Sequence, residues 1–254
     1  MSPLYLAAPA VVAAAAAGIA VYGAGYPRSQ IFGPTICRTN SPRKLAITFD
    51  DGPNPAITPK LLDLLDRYNA KATFFLIGRF VRECPELVKE TVARGHTVGN
   101  HTETHPNLFW LNPTQVRVEL RLCHKAIHNA VGTPPKWFRP PFGMRNPWVI
   151  PAAHELGCQS VMWTLIPGDW LEKPAEWLIP RMQPIATHAQ KTAKSNSPAP
   201  GGTGDILCLH DGSHRDLNAD RTRTLAALEH WLPRWRDLGL EFVTIDQAVR
   251  TPAP

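Results

Sequence analysis

The stretch Lys44-Leu45-Ala46-Ile47-Thr48-Phe49-Asp50-Asp51-Gly52 is an apolar run that ends abruptly in two adjacent carboxylates and a glycine. Its branched and aromatic residues suit a buried, pleated strand, and short apolar runs recur along the chain. Candidate strands cover 44–49, 72–77, 96–99, 137–139, 159–164, 205–209 and 241–243. Helical stretches with clear punctuation lie between them. Thr58-Pro59 offers a cap followed by proline at the first helical position, and Leu61, Leu62 and Leu65 share a face. Pro85 opens another helix, with Leu87, Val88, Thr91 and Val92 on one side and Gly95 as the stop. Pro113 opens a third, striped by Val116, Leu120, Cys123 and Ile127 and followed by Gly132. From Thr222 onward, Leu225, Leu228, Trp231, Leu232 and Trp235 line up before Gly239. Strand–helix alternation predicts an α/β fold of parallel strands with right-handed crossovers, closed as a barrel or barrel-like sheet. Residues 187–205, rich in Ser, Pro, Gly, Lys and Ala, read as a long surface loop.

The polar residues sit where such a fold gathers its chemistry. Asp50 and Asp51 follow the first strand, His101 the third, Arg139 ends the fourth and His210 the sixth. The C-terminal ends of parallel barrel strands meet at one mouth. Hydrolysis of an amide or ester near neutral pH needs an activated water and a stabilised oxyanion, and a divalent metal supplies both. One carboxylate and two histidines form a common ligand set, and Asp51, His101 and His105 fit it. The four-residue spacing of the histidines would put both rings on one side of a helical turn. Asp50 is placed to take a proton from water, and His210 to return one to the leaving group. Arg139 could keep Asp50 ionised, and Asp169 could keep His210 protonated. His-x-x-x-His or Asp-Asp-Gly alone would be weak; their conjunction at successive strand ends carries the reading.

The chain has 254 residues, 44% of them hydrophobic, and a net charge of +6. That is enough for one sizeable core. The basic residues form no stripe, which argues against nucleic-acid binding. Five cysteines (Cys37, Cys84, Cys123, Cys158, Cys208) without CxxC spacing support neither a disulfide framework nor a cysteine zinc site. The first 27 residues carry no charge, and 4–26 are dominated by Ala, Val, Leu and Ile. A span needs about 20 apolar residues, so residues 1–27 are expected to be a transmembrane anchor. A cleaved signal is the rival, with small residues at Gly23-Ala24-Gly25 but no basic start, and would make the protein secreted. A buried Ala-rich helix is a third reading. Arg28, Arg38, Arg43 and Lys44 all follow the segment and by the positive-inside rule would leave the remainder cytoplasmic; the side stays open. Residues 28–43 read as a linker and 44–250 as the catalytic domain of a membrane-associated, monomeric protein of the cell envelope.

Five ordered segments, 48–52, 101–105, 139–142, Asp169-Trp170 and 207–210, together resemble the polysaccharide deacetylases built on the NodB-homology domain, carbohydrate esterase family four. The resemblance covers roughly 44–249 and implies a distorted (β/α) barrel with fewer than eight repeats, in line with about seven strands. It implies Asp50 as base, Asp51, His101 and His105 as ligands to zinc or another divalent ion such as cobalt, and Arg139 as the group orienting Asp50. It further implies His210 as acid tuned by Asp169, an oxyanion contact from the Phe142 backbone N–H, and Trp170 as groove wall. The implied reaction is removal of N-acetyl groups from amino sugars of a polysaccharide or glycolipid. Alternatives are an O-acetyl esterase on xylan, a small-molecule amidase, and an inactive carbohydrate-binding protein of the same fold.

The chain departs from the family pattern at three places. Ile166 stands where many members have aspartate, Phe142 where tyrosine is common, and Cys208 where a larger residue usually lines the acetyl pocket. Of the other tryptophans, Trp110 and Trp148 are expected near the groove, and Trp231 and Trp235 in the core.

Overall fold

The run that opens the sequence becomes the central strand of the molecule. The computed structural model describes residues 4–194 and 202–249; Met1–Pro3, 195–201 of the expected loop and residue 250 of the expected domain lie outside them. The described chain runs α1 (Leu4–Gly25), β1 (Thr35–Ile36), β2 (Lys44–Gly52), α2 (Thr58–Arg67), β3 (Ala72–Leu76), α3 (Gly78–Glu83), α4 (Pro85–Ala93) and β4 (Thr97–Asn100). It continues with α5 (Pro113–Val131), β5 (Trp137–Phe138), α6 (Val149–His154), β6 (Gln159–Val161), α7 (Ala175–Leu178) and α8 (Gln183–Lys194). It ends with β7 (Asp205–His210), α9 (Thr222–Asp237), β8 (Glu241–Phe242) and α10 (Ile245–Ala248).

The strands form one sheet in the order β1-β6-β5-β4-β3-β2-β7, with β8 added to the start of β2, and the pairs are parallel. The sheet curls until the chain just after β6 meets β7. There Leu165 bridges Leu207, and the Cys208 N–H donates to the Leu165 carbonyl at 2.9 Å. The result is the expected distorted (β/α) barrel, closed by a seam rather than a full strand pair. The seven expected strands are β2 to β8. The extra one, β1, lies inside the expected linker and pairs with the outer edge of β6. Two residues are too few to leave a periodic pattern, so the sequence concealed it.

Alternation along β2 sorts its side chains between two cores. Leu45, Ile47 and Phe49 pack outward with α2 and α9 residues such as Leu61, Leu65, Leu228 and Trp235, all buried. Ala46 points inward with Phe75, Trp137, Val161 and Ile206. Thr48 and Asp50 share that inward face, so the polar end of the strand opens into the barrel mouth.

The helix stripes hold with local corrections. All four stripe residues of α5 are buried, and Gly132 ends it at φ +77°. In α4, Val92 is exposed, while Val88 and Thr91 are buried and Leu87 packs half-buried against the core. Thr58 does not cap α2. The helix begins at Thr58 itself, and the threonine hydroxyl instead donates to buried Asp211 while accepting the Asn54 N–H. The expected loop at 187–205 is helical up to Lys194. All five cysteines are free.

The side chains of α1 are described chiefly from Val11 onward, and among the described residues no helix is long and apolar enough to cross a membrane. Val11 and Val12 are 67% and 68% exposed, which overturns the reading of α1 as a buried core helix. Its C-terminal end is docked. Ala24 is buried, its carbonyl accepts the Arg145 N–H at 3.1 Å, and Arg145 Nη2 donates to the Tyr26 carbonyl at 2.6 Å. A cation at a helix C-terminus is favourably placed.

Candidate active site

Adjacent residues of a strand normally face opposite sides, yet Asp50 and Asp51 both reach the barrel mouth. The reason is a β-bulge. The register against β3 slips between Asp50 and Gly52, and Asp51 takes a left-handed φ of +73°. Gly52 makes the bulge fit, since a Cβ there would lie 2.4 Å from Asp211 Oδ2. Asp50 pairs in register with His210 on β7.

His101 and His105 are brought together by a loop, not by the helical turn their spacing suggests. Thr102 and His105 adopt left-handed φ values of +68° and +62°. The turn is held by Asn100 Oδ1 accepting the Thr102 N–H at 2.8 Å and by Thr102 Oγ1 accepting the His105 N–H at 3.1 Å. Asp51 Oδ1 lies 3.6 Å from His101 Nε2 and 3.1 Å from His105 Nε2. Asp51 Oδ1 and His105 Nδ1 are buried without a hydrogen-bond partner. Burial above all, with His101 and His214 next, pushes the His105 imidazole far below its ordinary range, so it is neutral. A neutral His105 ring and a second imidazole nitrogen crowded around a buried carboxylate suit a divalent cation, which could bind all three.

Arg139 is fully buried at the end of β5, and every nitrogen is used. Nη1 donates to Asp50 Oδ1 and Thr48 Oγ1, both at 2.7 Å, while Nε and Nη2 donate to the Val161 and Met162 carbonyls at 3.2 Å. Its guanidinium lies over the Phe75 ring at 4.2 Å. Burial would raise the Asp50 carboxyl, but Arg139, helped by His101 and His210, outweighs it and holds Asp50 below the usual carboxylate range. Opposite, His210 Nδ1 meets Asp169 Oδ1 at 2.9 Å, and Asp169 Oδ2 accepts the His210 N–H at 2.7 Å and the Thr224 hydroxyl at 3.0 Å. Burial pulls His210 down; Asp169, with smaller help from Asp51 and Asp50, overcomes it and pushes the imidazole up to about 9. An ionised base and a protonated acid therefore face one another across the same space.

That space is a groove of about 700 Å³ lined by Asp50, Asp51, His101, His105, Phe142, Trp163, Trp170 and His210, among others. Phe142 sits at its rim, 55% exposed, with a φ of +57° that turns its backbone away from the regular course. Ile166 also lines the groove. Three expectations change. Trp110 and Trp148 are exposed but absent from the lining, whereas Trp163 is part of it. Cys208 does not line the groove. It is buried beneath Asp50, with Sγ 3.4 Å from Asp50 Oδ2, because its position on β7 faces inward one layer below the mouth. Trp231 and Trp235 are buried and stacked at 5.5 Å, as expected. The sequence reading passed over His214, which stacks on His105. Its signal was a second His-x-x-x-His pair, His210 and His214.

A parallel-stranded barrel with carboxylates and imidazoles at its mouth defines a hydrolase of the metal-dependent barrel type. The family model for polysaccharide deacetylase matches residues 38–161. The chain is 40% identical over 212 residues to a peptidoglycan-N-acetylglucosamine deacetylase of Bacillus cereus, covering 83% of this chain and 90% of the relative. It is 33% identical over 213 residues to a chitooligosaccharide deacetylase of a Bradyrhizobium species, covering 81% and 90%. The crystal structure of the Bc1960 peptidoglycan N-acetylglucosamine deacetylase superposes with a TM-score of 0.71 at 27% identity, covering 86% of this chain and 93% of that one. This chain belongs to the polysaccharide deacetylase family, a family of metal-dependent hydrolases.

Proposed function

We propose that this protein removes N-acetyl groups from amino sugars of a peptidoglycan- or chitooligosaccharide-type glycan, releasing acetate. The observation that carries the reading is the pairing of Asp50, kept ionised by Arg139, with His210, kept protonated by Asp169, across one groove. Asp51, His101 and His105 would hold the divalent ion, with zinc the natural occupant of one carboxylate and two imidazoles and cobalt a substitute. Bound there, such an ion lowers the pKa of water and polarises a carbonyl.

The chain's own residues account for the remaining chemistry. Arg139 occupies Asp50 Oδ1, so Oδ2 accepts the proton of the attacking water. The Phe142 N–H is offered to the carbonyl oxygen as it becomes negative. His210 Nδ1 is tied to Asp169, which leaves Nε2–H to protonate the leaving amine nitrogen as the C–N bond breaks. Acetate and the free amine depart, and Asp50 and His210 exchange protons with water to reset. The exposed Trp170 ring on the groove wall suits the apolar face of a sugar ring.

The N-acetylglucosamine in the name of the Bacillus cereus relative supports the amide over the ester. The protein would work at the cell envelope, with the charge-free segment 1–27 attaching it to the membrane. The deciding experiment is acetate release from chitooligosaccharides, N-acetylated peptidoglycan and acetylated xylan, with zinc and after chelation. Chelator-sensitive release from the amino-sugar substrates is expected. Release from xylan alone would make the protein an O-acetyl esterase, and metal binding without release from any of the three would sink this reading.

A further inference from the structure

His101 and His105 are held in different ways. His101 Nδ1 is fixed by the Arg139 carbonyl at 2.8 Å, the kind of outer hydrogen bond that orients most metal-ligating histidines. His105 Nδ1 has no hydrogen-bond partner, and its backbone stands at a positive φ. Aromatic contacts surround its ring instead. His101 meets it edge-on at 4.9 Å and 62°, Phe142 edge-on at 4.6 Å and 71°, and His214 covers its face at 4.5 Å and 11°.

His214 is close enough to invite a different role, since donor atoms of Asp51, His105 and His214 all lie within 4.8 Å of one another. The ring planes argue against it. An imidazole binds a metal along a lone pair in the plane of its ring, and two nearly parallel stacked planes cannot both contain the same ion. The 62° between His101 and His105 allows convergence; the 11° between His105 and His214 does not. The backbone of His214 is itself pinned, because the Arg79 guanidinium donates to its carbonyl.

We propose that His214 is a positioning residue that clamps His105 in its metal-binding orientation by face-to-face stacking, in place of the hydrogen bond that His101 has. The inference rests on the reading of Asp51, His101 and His105 as the metal ligands. His214 lies half-exposed on the groove wall, so its substitution leaves the core intact.

The test is zinc affinity, measured by competition with a chelating dye, together with the visible absorption spectrum of the cobalt form. His214→Ala removes ring and donor; His214→Phe keeps the ring and removes the donor. His214→Ala is expected to bind zinc about 10–100-fold more weakly, the usual cost of losing a group that orients a ligand. His214→Phe is expected to bind like the parent with an unchanged cobalt spectrum. Equal losses in both variants, or a shifted spectrum in His214→Phe, would make His214 a direct ligand and overturn the stacking role. Unchanged affinity in His214→Ala would remove any role in metal binding. A parent chain that binds no zinc would instead overturn the ligand assignment beneath the inference.

Discussion

Asp50 and Asp51 are the same residue type in adjacent positions, yet their surroundings divide them. Asp50 touches Arg139 and the Cys208 thiol, while Asp51 faces two imidazoles. Asp50→Asn and His210→Ala are therefore expected to keep stoichiometric metal while losing about 10²–10⁴-fold in kcat. His101→Ala should lose metal and activity together, and metal analysis beside acetate release checks the division. The pH dependence follows from the same contacts. His210 is raised to about 9 from an ordinary 6.5, so its pairing with Asp169 is complete below about 6.5 and lost as pH rises through about 9. In Asp169→Asn the imidazolium loses its counter-charge, and the alkaline limb of the kcat profile should move to lower pH. An unmoved limb would show that another group sets it. The paired carboxylates and both strand-end histidines were legible in the sequence. His214 was not, because its four-residue spacing from His210 does not by itself distinguish a stacking role from a ligand or a surface residue.

At the scale of the element, legibility followed length and regularity. The four-residue stripe of α5 is visible in the sequence, because 19 helical residues repeat the pattern several times. Two-residue β1 is not, and neither is the loop at 101–105, where left-handed Thr102 and His105 replace the expected helical turn. Thr58 misled for a related reason. A hydroxyl before a proline reads as a local cap, but a buried carboxylate 153 residues away in the chain is the stronger partner. Stability should be most sensitive where an element is both buried and tightly fitted. Trp235, 0% exposed on the buried face of α9 and stacked on Trp231, is expected to cost about 3–5 kcal/mol when cut to alanine. Urea unfolding measures this, and a loss below about 1 kcal/mol would mean that the core closes over the gap.

For the whole molecule, strand–helix alternation foretold parallel strands and one mouth, but not how the barrel closes. Closure depends on contacts between sequence-remote segments after β6 and along β7, and no local pattern records them. The mouth also ties fold to ligand. A metal that binds the folded mouth and not the unfolded chain adds stability by mass action, about 2.7 kcal/mol at a hundredfold excess over Kd. Chelation should therefore lower the Tm, and zinc should restore it. Equal melting curves with and without chelator would show that the mouth keeps its shape unaided.

The bridge between Leu165 and Leu207 has one more consequence. His210 stands on one side of that seam and Asp169, on the loop after Leu165, on the other, and the pair across it does most to keep the imidazole charged. Warming that loosens this narrow join would uncouple proton donor from counter-ion while the remaining strand pairs still hold. Catalysis is therefore expected to fade before the molecule melts, and equal temperature midpoints for acetate release and unfolding would count against it.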